Sequence, residues 1–140
     1  MNEIILADGT VLLDGSSLTS MDEIRAAQSG LAEWRANGHH TVHVVGVPEP
    51  DADREELDAL GRRTVRLNIG HLVVVGATAR IIHLAAEHEG SWDGESLPRA
   101  DIDSAYDEVS RLRGDGTVVL VTGSSEVDMS ALVERLKEEA

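Results

Sequence analysis

Cysteine and phenylalanine are absent from the 140 residues, and two Trp and one Tyr are the only aromatic side chains. Without cysteine there is no disulfide framework, no thiol nucleophile and no Cys-ligated metal, a composition suited to a reducing cytoplasm. With so few rings to stack on bases, single-stranded nucleic acid finds little to bind. Positive charge is scarce too: 12 Lys and Arg stand against 26 Asp and Glu, a formal net charge of −14. Such a chain repels phosphate backbones and anionic lipid. No apolar run approaches the roughly 20 residues that span a bilayer, and "MNEIILADG" lacks a basic segment followed by an apolar core. These absences predict a cytoplasmic chain with no membrane insertion and no nucleic-acid partner.

The length fits one domain, residues 1–140, with one core. The apolar fraction is 41%, so that core must come from Val, Ile, Leu and Ala. Glu3–Leu6 and Val11–Leu13 flank an Asp-Gly turn and predict an antiparallel hairpin. Ser20 and Glu23 form a capping box for a helix whose Met21, Ile24, Ala27, Leu31 and Trp34 recur at helical spacing, with Gly38 as its stop. Thr41–Val47 reads as a buried strand ended by Pro48 and Pro50. A second helix follows, with Leu57, Leu60, Val65 and Leu67 on its apolar side. His71–Gly76 is another buried strand, and a third helix is expected to turn Ile81, Leu84 and Ala85 inward.

The stretch "SWDGESLPRAD" reads as a loop with a short strand at Trp92. Ile102, Ala105, Tyr106, Val109 and Leu112 predict a fourth helix, Thr117–Val121 a further strand, and Met129, Leu132, Val133 and Leu136 a last helix. Strands without polar alternation, separated by helices, imply a parallel sheet covered on both faces. The predicted class is α/β, three-layered, with an antiparallel hairpin at one end.

In such a sheet ligands bind beyond the carboxyl ends of the strands, where helix N-termini present free N–H groups. The loops Asp14–Thr19, Gly46–Asp51, Gly76–Thr78 and Thr122–Asp128 fall there. Within them Asp14, Ser16, Ser17, Gly46, Gly76, Thr78, Gly123 and Ser124 are the candidate contacts. Gly123-Ser124-Ser125 offers N–H groups and hydroxyls to an anion, and equally makes a capped strand-to-helix turn. Asp14 is either a placed carboxylate or an Asx cap. Neither GxGxxG nor GxxxxGK[ST] occurs, so neither dinucleotide nor P-loop binding is expected. No GxSxG elbow marks a nucleophile, so no catalytic residue is assigned. His39, His40 and His43 cluster in sequence, and His83 and His88 share a helix, but no pair has HExxH spacing, and no metal site is assigned. Arg62, Arg63 and Arg66 read as a solvated helix face rather than an anion clamp.

The phrases "ADGTVLLD", "SMDEIRAA", "HLVVVG", "EGSWDG" and "GDGTVVLVTGSSEVDMSALVERL", in this order along nearly all of the chain, resemble the C-terminal domain of the Mur ligases, in particular those that add D-alanyl-D-alanine. The resemblance implies a Rossmann-like domain that closes over an acyl-phosphate formed elsewhere. It also implies that ATP and magnesium are held by a central P-loop domain outside this chain, with no cofactor here. The implied partners are the other ligase domains and a UDP-muramoyl peptide. The ligand-facing motifs differ from the family's. Its D-D-x-Y-N-A-N-P loop is here Asp14 to Met21, keeping the first Asp; its G-x-M-x-E-L-G segment keeps Gly46; its K-G-S-R becomes Thr122-Gly123-Ser124-Ser125, without either basic residue.

Three expectations follow. One is a substrate-docking and closure domain of an ATP-dependent ligase of cell-wall precursor synthesis, inactive alone. The second is a degenerate, non-catalytic Mur-like module binding a protein or small molecule. The third is a free-standing domain binding an anionic metabolite near Gly76 and Thr78.

Overall fold

The computed structural model describes residues 1–138. Strand β1 (Asn2–Ile5) turns through Asp8-Gly9 into β2 (Val11–Gly15), and the two pair antiparallel. The remaining order is α1 (Met21–Ala36), β3 (His40–Val45), α2 (Arg54–Arg66), β4 (His71–Val75), α3 (Arg80–His88), β5 (Glu95–Arg99), α4 (Ile102–Leu112), β6 (Thr117–Thr122) and α5 (Met129–Glu138). The strands lie in the order β1-β2-β6-β3-β4-β5, and every pairing after the hairpin is parallel.

Right-handed crossovers dictate where the helices go. The steps β2 to β3, β3 to β4 and β4 to β5 run one way across the sheet, so α1, α2 and α3 share a face, called here the front. The step from β5 back to β6 reverses direction and sends α4 to the other face. The cores follow this division. Met21, Ile24, Leu57, Leu60 and Ile82 pack on Leu72 and Val74 in front, and Ala105, Val109, Met129, Leu132 and Leu136 pack on Val42, Val44, Val73 and Val119 behind. The α/β three-layer architecture expected from the sequence is the one observed.

Helix starts obey local chemistry. Ser20 Oγ accepts from Glu23 N at 3.2 Å while Glu23 reaches back to Ser20 N, the expected capping box. Asp53 and Glu56 do the same for α2. Helices α2 and α3 touch at Gly61, where a Cβ would stand 2.2 Å from the Ile82 carbonyl oxygen. Only glycine permits that approach.

Three expectations are corrected. In α3 the buried residues are Ile82, His83, Ala85 and Ala86, while Ile81 is half-buried and Leu84 exposed. The helix starts at Arg80 without a side-chain cap, so nothing local fixed its phase. The strand expected at Trp92 lies instead at Glu95–Arg99 and contains Pro98. Proline is tolerated there because β5 is the last strand of the sheet and lacks a neighbour on one side. Helix α2 ends at Arg66, so Leu67 is its C-cap rather than a helix residue, and it packs half-buried against the core beneath α1.

Candidate functional site

The carboxyl ends of β2, β3, β4, β5 and β6 all point to one end of the sheet. From there α1 leaves toward the front and α5 toward the back, with β6 seated between β2 and β3. That divergence makes the crevice in which open α/β sheets bind ligands. The four expected loops are all present at this end, joined by a fifth after β5 that the sequence reading missed.

Around β6 the loops are tied to one another. Gly123 N donates to Leu18 O at 2.9 Å, and Ser125 N to Val47 O at 2.8 Å. Glu126 N and Val127 N both donate to Ser124 Oγ, at 3.1 and 3.4 Å. A Cβ on Gly123 would stand 2.7 Å from the carbonyl oxygens of Ser16 and Leu18, and one on Gly46 would stand 2.6 Å from Ser124 Oγ. These two glycines are therefore needed for the loops to approach each other. Asp14 Oδ1 accepts from Ser16 N at 3.1 Å and from Ser16 Oγ at 2.7 Å, the Asx arrangement foreseen as one of its two roles. Glu49 accepts from Met21 N at 3.3 Å and so joins the loop after β3 to the first turn of α1.

Asp14, Ser16, Gly46, Gly123 and Ser124 are thus brought together, with Ser17 exposed at their rim. Their donors are largely committed to neighbouring loops, and the side chains around them include Asp14, Glu49, Asp51, Glu126 and Asp128. The Ser130 hydroxyl holds the exposed Asp128 carboxyl below its ordinary pKa. A nucleotide triphosphate does not fit these residues: it needs free N–H groups and cations, and the loops present committed N–H groups and carboxylates.

Gly76 and Thr78 lie to the other side, beyond β4. Gly76 has a φ of +105°, a conformation natural to glycine, and its N–H donates to Arg99 O at 2.9 Å. Here a hollow of about 330 Å³ opens among Gly76, Ala77, Arg80, Pro98, Arg99 and Ala100. Arg80 is exposed. Arg99 donates to Pro98 O and to Glu108, a carboxylate 2% exposed that also meets Arg111 at 3.2 Å. The sequence reading missed both arginines at this hollow. Recognising Pro98-Arg99 as the end of an edge strand would have found them, since a strand end belongs to the site by topology.

The other charged groups singled out in the sequence are engaged elsewhere. Arg62 pairs with Asp58 at 2.7 Å, Arg63 donates to Ser29 Oγ at 2.7 Å, and Arg66 pairs with Glu89 at 2.5 Å. Each engages a separate partner; Arg62 and Arg63 are half-buried, Arg63 bridging to α1, and Arg66 is exposed. His43 is fully buried in β3 between Gln28 and Thr122, and burial pushes its pKa down to about 3. His83 contacts Ser96 and Glu87.

No protein-family profile matches the chain. Among curated proteins it is 32% identical to the UDP-N-acetylmuramoyl-tripeptide–D-alanyl-D-alanine ligase of Mycobacterium leprae, over 93% of this chain and 28% of that protein. The chain therefore spans less than a third of that relative's length. Among solved structures, MurF from Acinetobacter baumannii superposes with a TM-score of 0.73 at 20% identity, over 98% of this chain and 30% of that one. MurF ligase from Thermotoga maritima, crystallised with ADP, does so with a TM-score of 0.69 at 18% identity, over 99% and 30%. No helix among the described residues is long and apolar enough to cross a membrane. The chain is thus similar along nearly its whole length to under a third of these Mur ligases, and it shares the α/β fold of the two MurF structures.

Proposed function

We propose that residues 1–140 act as one substrate-docking and closure domain of a Mur-like, ATP-dependent ligase of cell-wall precursor synthesis, inactive in isolation. The observation that supports this best is the match of almost the entire chain to under a third of a D-alanyl-D-alanine-adding ligase. ATP and magnesium belong to the central domain of the parent enzyme, because the loops of this chain do not fit a triphosphate. The partners are then the remaining ligase domains and a UDP-muramoyl peptide, in the cytoplasm where such enzymes work. Within this domain the contacts are Asp14, Ser16, Ser17, Gly46, Gly76, Thr78, Gly123 and Ser124. Gly76 and Thr78 stand nearest the arginine-lined hollow and would meet any anionic part of the ligand.

The test is reconstitution. The other two domains of the parent ligase, supplied with ATP, UDP-muramoyl tripeptide and D-alanyl-D-alanine, release ADP only when this domain is present. Absence of ADP release with every muramoyl peptide tried sinks the reading.

A second reading is favoured by the committed N–H groups around Gly123: a degenerate, non-catalytic module that binds a partner without turnover. An immunoblot of source cells separates the two. A native band several times larger than this chain supports the ligase, and a band of its own size supports the module.

A further inference from the structure

Ser96, His83 and Glu87 come together at the β5 edge of the sheet, although no nucleophile motif marks them in the sequence. Ser96 is the second residue of β5 and faces α3, where its Oγ lies 2.7 Å from His83 Nδ1. The other ring nitrogen, Nε2, lies 3.1 Å from Glu87 Oε1, one helical turn further on. An ionised carboxylate only accepts, so Nε2 carries the ring proton. Nδ1 is then a lone pair, and the Ser96 hydroxyl donates to it. Glu87 thereby fixes the tautomer that aims a serine hydroxyl at a base. His83 is 5% exposed, and burial, the largest influence, keeps its pKa below that of ordinary imidazole against the pull of Glu87. The ring is unprotonated at neutral pH and free to take a proton.

The surroundings are shaped for access. A hollow of about 320 Å³ opens beside Ser96, walled by Ala86, Glu87, Gly90, Trp92, Gly94 and Glu95. A Cβ on Gly94 would stand 2.3 Å from the Gly70 carbonyl oxygen and 2.6 Å from the Trp92 ring. Glycine is what lets the indole fold over, its Nε1 donating to Ile69 O at 2.9 Å. Glu95 N donates inward to Gly70 O at 3.1 Å, so alternation turns the next N–H, that of Ser96, toward the open edge. It is a donor next to the nucleophile, where an oxyanion would form.

We propose that Ser96 is a nucleophile, with His83 as its base and Glu87 as a positioning residue, in an esterase-type site for a short-chain carboxylic ester of a neutral or cationic alcohol. Ser96 Oγ bonds to the carbonyl carbon while its proton passes to His83 Nδ1. Collapse of the tetrahedral species breaks the ester C–O bond, and the departing alkoxide takes that proton. Water then attacks the acyl-serine, giving a proton to the same nitrogen; the acyl C–Oγ bond breaks, Ser96 Oγ takes that proton back from His83, and the carboxylic acid leaves. The small hollow limits the acyl chain, and Glu87 and Glu95 repel an anionic alcohol. This site lies toward the amino end of β5, opposite the carboxyl-end loops, and depends on neither reading of them.

The test treats the chain with an alkyl fluorophosphonate and, separately, with para-nitrophenyl acetate. The expected result is a phosphonyl adduct on Ser96 in peptide mass spectra and para-nitrophenol release that Ser96→Ala removes. His83→Gln lowers the labelling rate by roughly 100-fold or more. Glu87→Gln, at a half-exposed helix position, lowers it by roughly 10-fold or more with an unchanged thermal melt, and Glu87→Asp restores part of the rate. The proposal is overturned if folded chain leaves Ser96 unlabelled, or if Glu87→Gln labels as fast as the parent.

Discussion

The two faces of the sheet are filled with different chemistry. Behind, α4 and α5 lay aliphatic side chains over Leu12, Val42, Val44, Val73 and Val119, and the buried carboxylate of Glu108 sits at the margin under Arg99 and Arg111. In front, the layer beneath α1 and α2 holds Gln28, His43, Thr64 and Thr122, each 0% exposed. Gln28 Nε2 meets His43 Nδ1 at 3.1 Å and Thr64 Oγ1 at 2.9 Å, and His43 Nε2 meets Thr122 Oγ1 at 2.9 Å. Thr64 in turn donates to Leu60 O at 3.0 Å. Gln28 donates to Nδ1, so the ring proton is on Nε2 and the imidazole is neutral. The back face is held by volume, and the front partly by hydrogen bonds that need one protonation state. Thr122 is also the residue before Gly123, so the polar seam ends where the tied loops begin.

The largest effect is expected behind. Leu132→Ala removes a fully buried side chain of α5 and should cost about 2–5 kcal/mol through lost burial and a cavity. The difference from the parent, read from urea midpoints, should be the same at pH 7 and pH 5, since no proton is involved. A cost that grows at pH 5 would break the contrast between the faces.

In front, the folded pKa of His43 lies near 3 against 6.5 for free imidazole. Below 6.5 the unfolded chain binds a proton that the folded chain refuses. This contribution is complete above pH 6.5 and is lost as pH falls toward 3, at up to about 1.4 kcal/mol per unit. Between pH 6.5 and 4.5 the loss attributable to His43 is roughly 2–3 kcal/mol. His83 shifts in the same direction and adds to it. His43→Gln should flatten the slope, and the ring resonances of His43 should not titrate above pH 4.5. A folded-state titration near 6.5 would erase the distinction.

Thr122→Val keeps the shape of the side chain but leaves His43 Nε2–H without its acceptor. The cost should be about 1–3 kcal/mol, with faster hydrogen exchange at the Gly123 and Ser125 amides that follow. Unchanged exchange there would detach the seam from the loops.

Much of this was legible in the sequence. Strand order aside, the apolar stripes of α1, α4 and α5 fall where periodicity puts them, and His43 is in the buried strand expected. Gln28 escaped notice although it stands four residues after Ile24, on the same stripe as Leu31; a polar residue at a core position was the available signal. The phase of α3 was ambiguous because Ile81 and Ile82 are adjacent and no cap fixes the start. The candidate loops were found by topology alone, but their commitment to one another was not legible. It depends on contacts such as Gly123 with Leu18 and Ser125 with Val47, which join residues about 80 to 105 positions apart through the sheet's strand order.

The smallest single effect sharpens the comparison most. Ser20→Ala removes the cap of α1 and should cost about 1 kcal/mol, equally at pH 7 and pH 5, because the side chain is remote from His43 in the hydrogen-bond network. Its loop nevertheless reaches β6 through Leu18 O and Gly123 N. If the seam and the tied loops form one mechanical unit, combining Ser20→Ala with Thr122→Val should give a cost that departs from the sum by 0.5 kcal/mol or more. A sum obeyed within about 0.3 kcal/mol would mean that the front face organises its core and its loops independently. The polar seam would then be a feature of folding alone, with no hold on the candidate site.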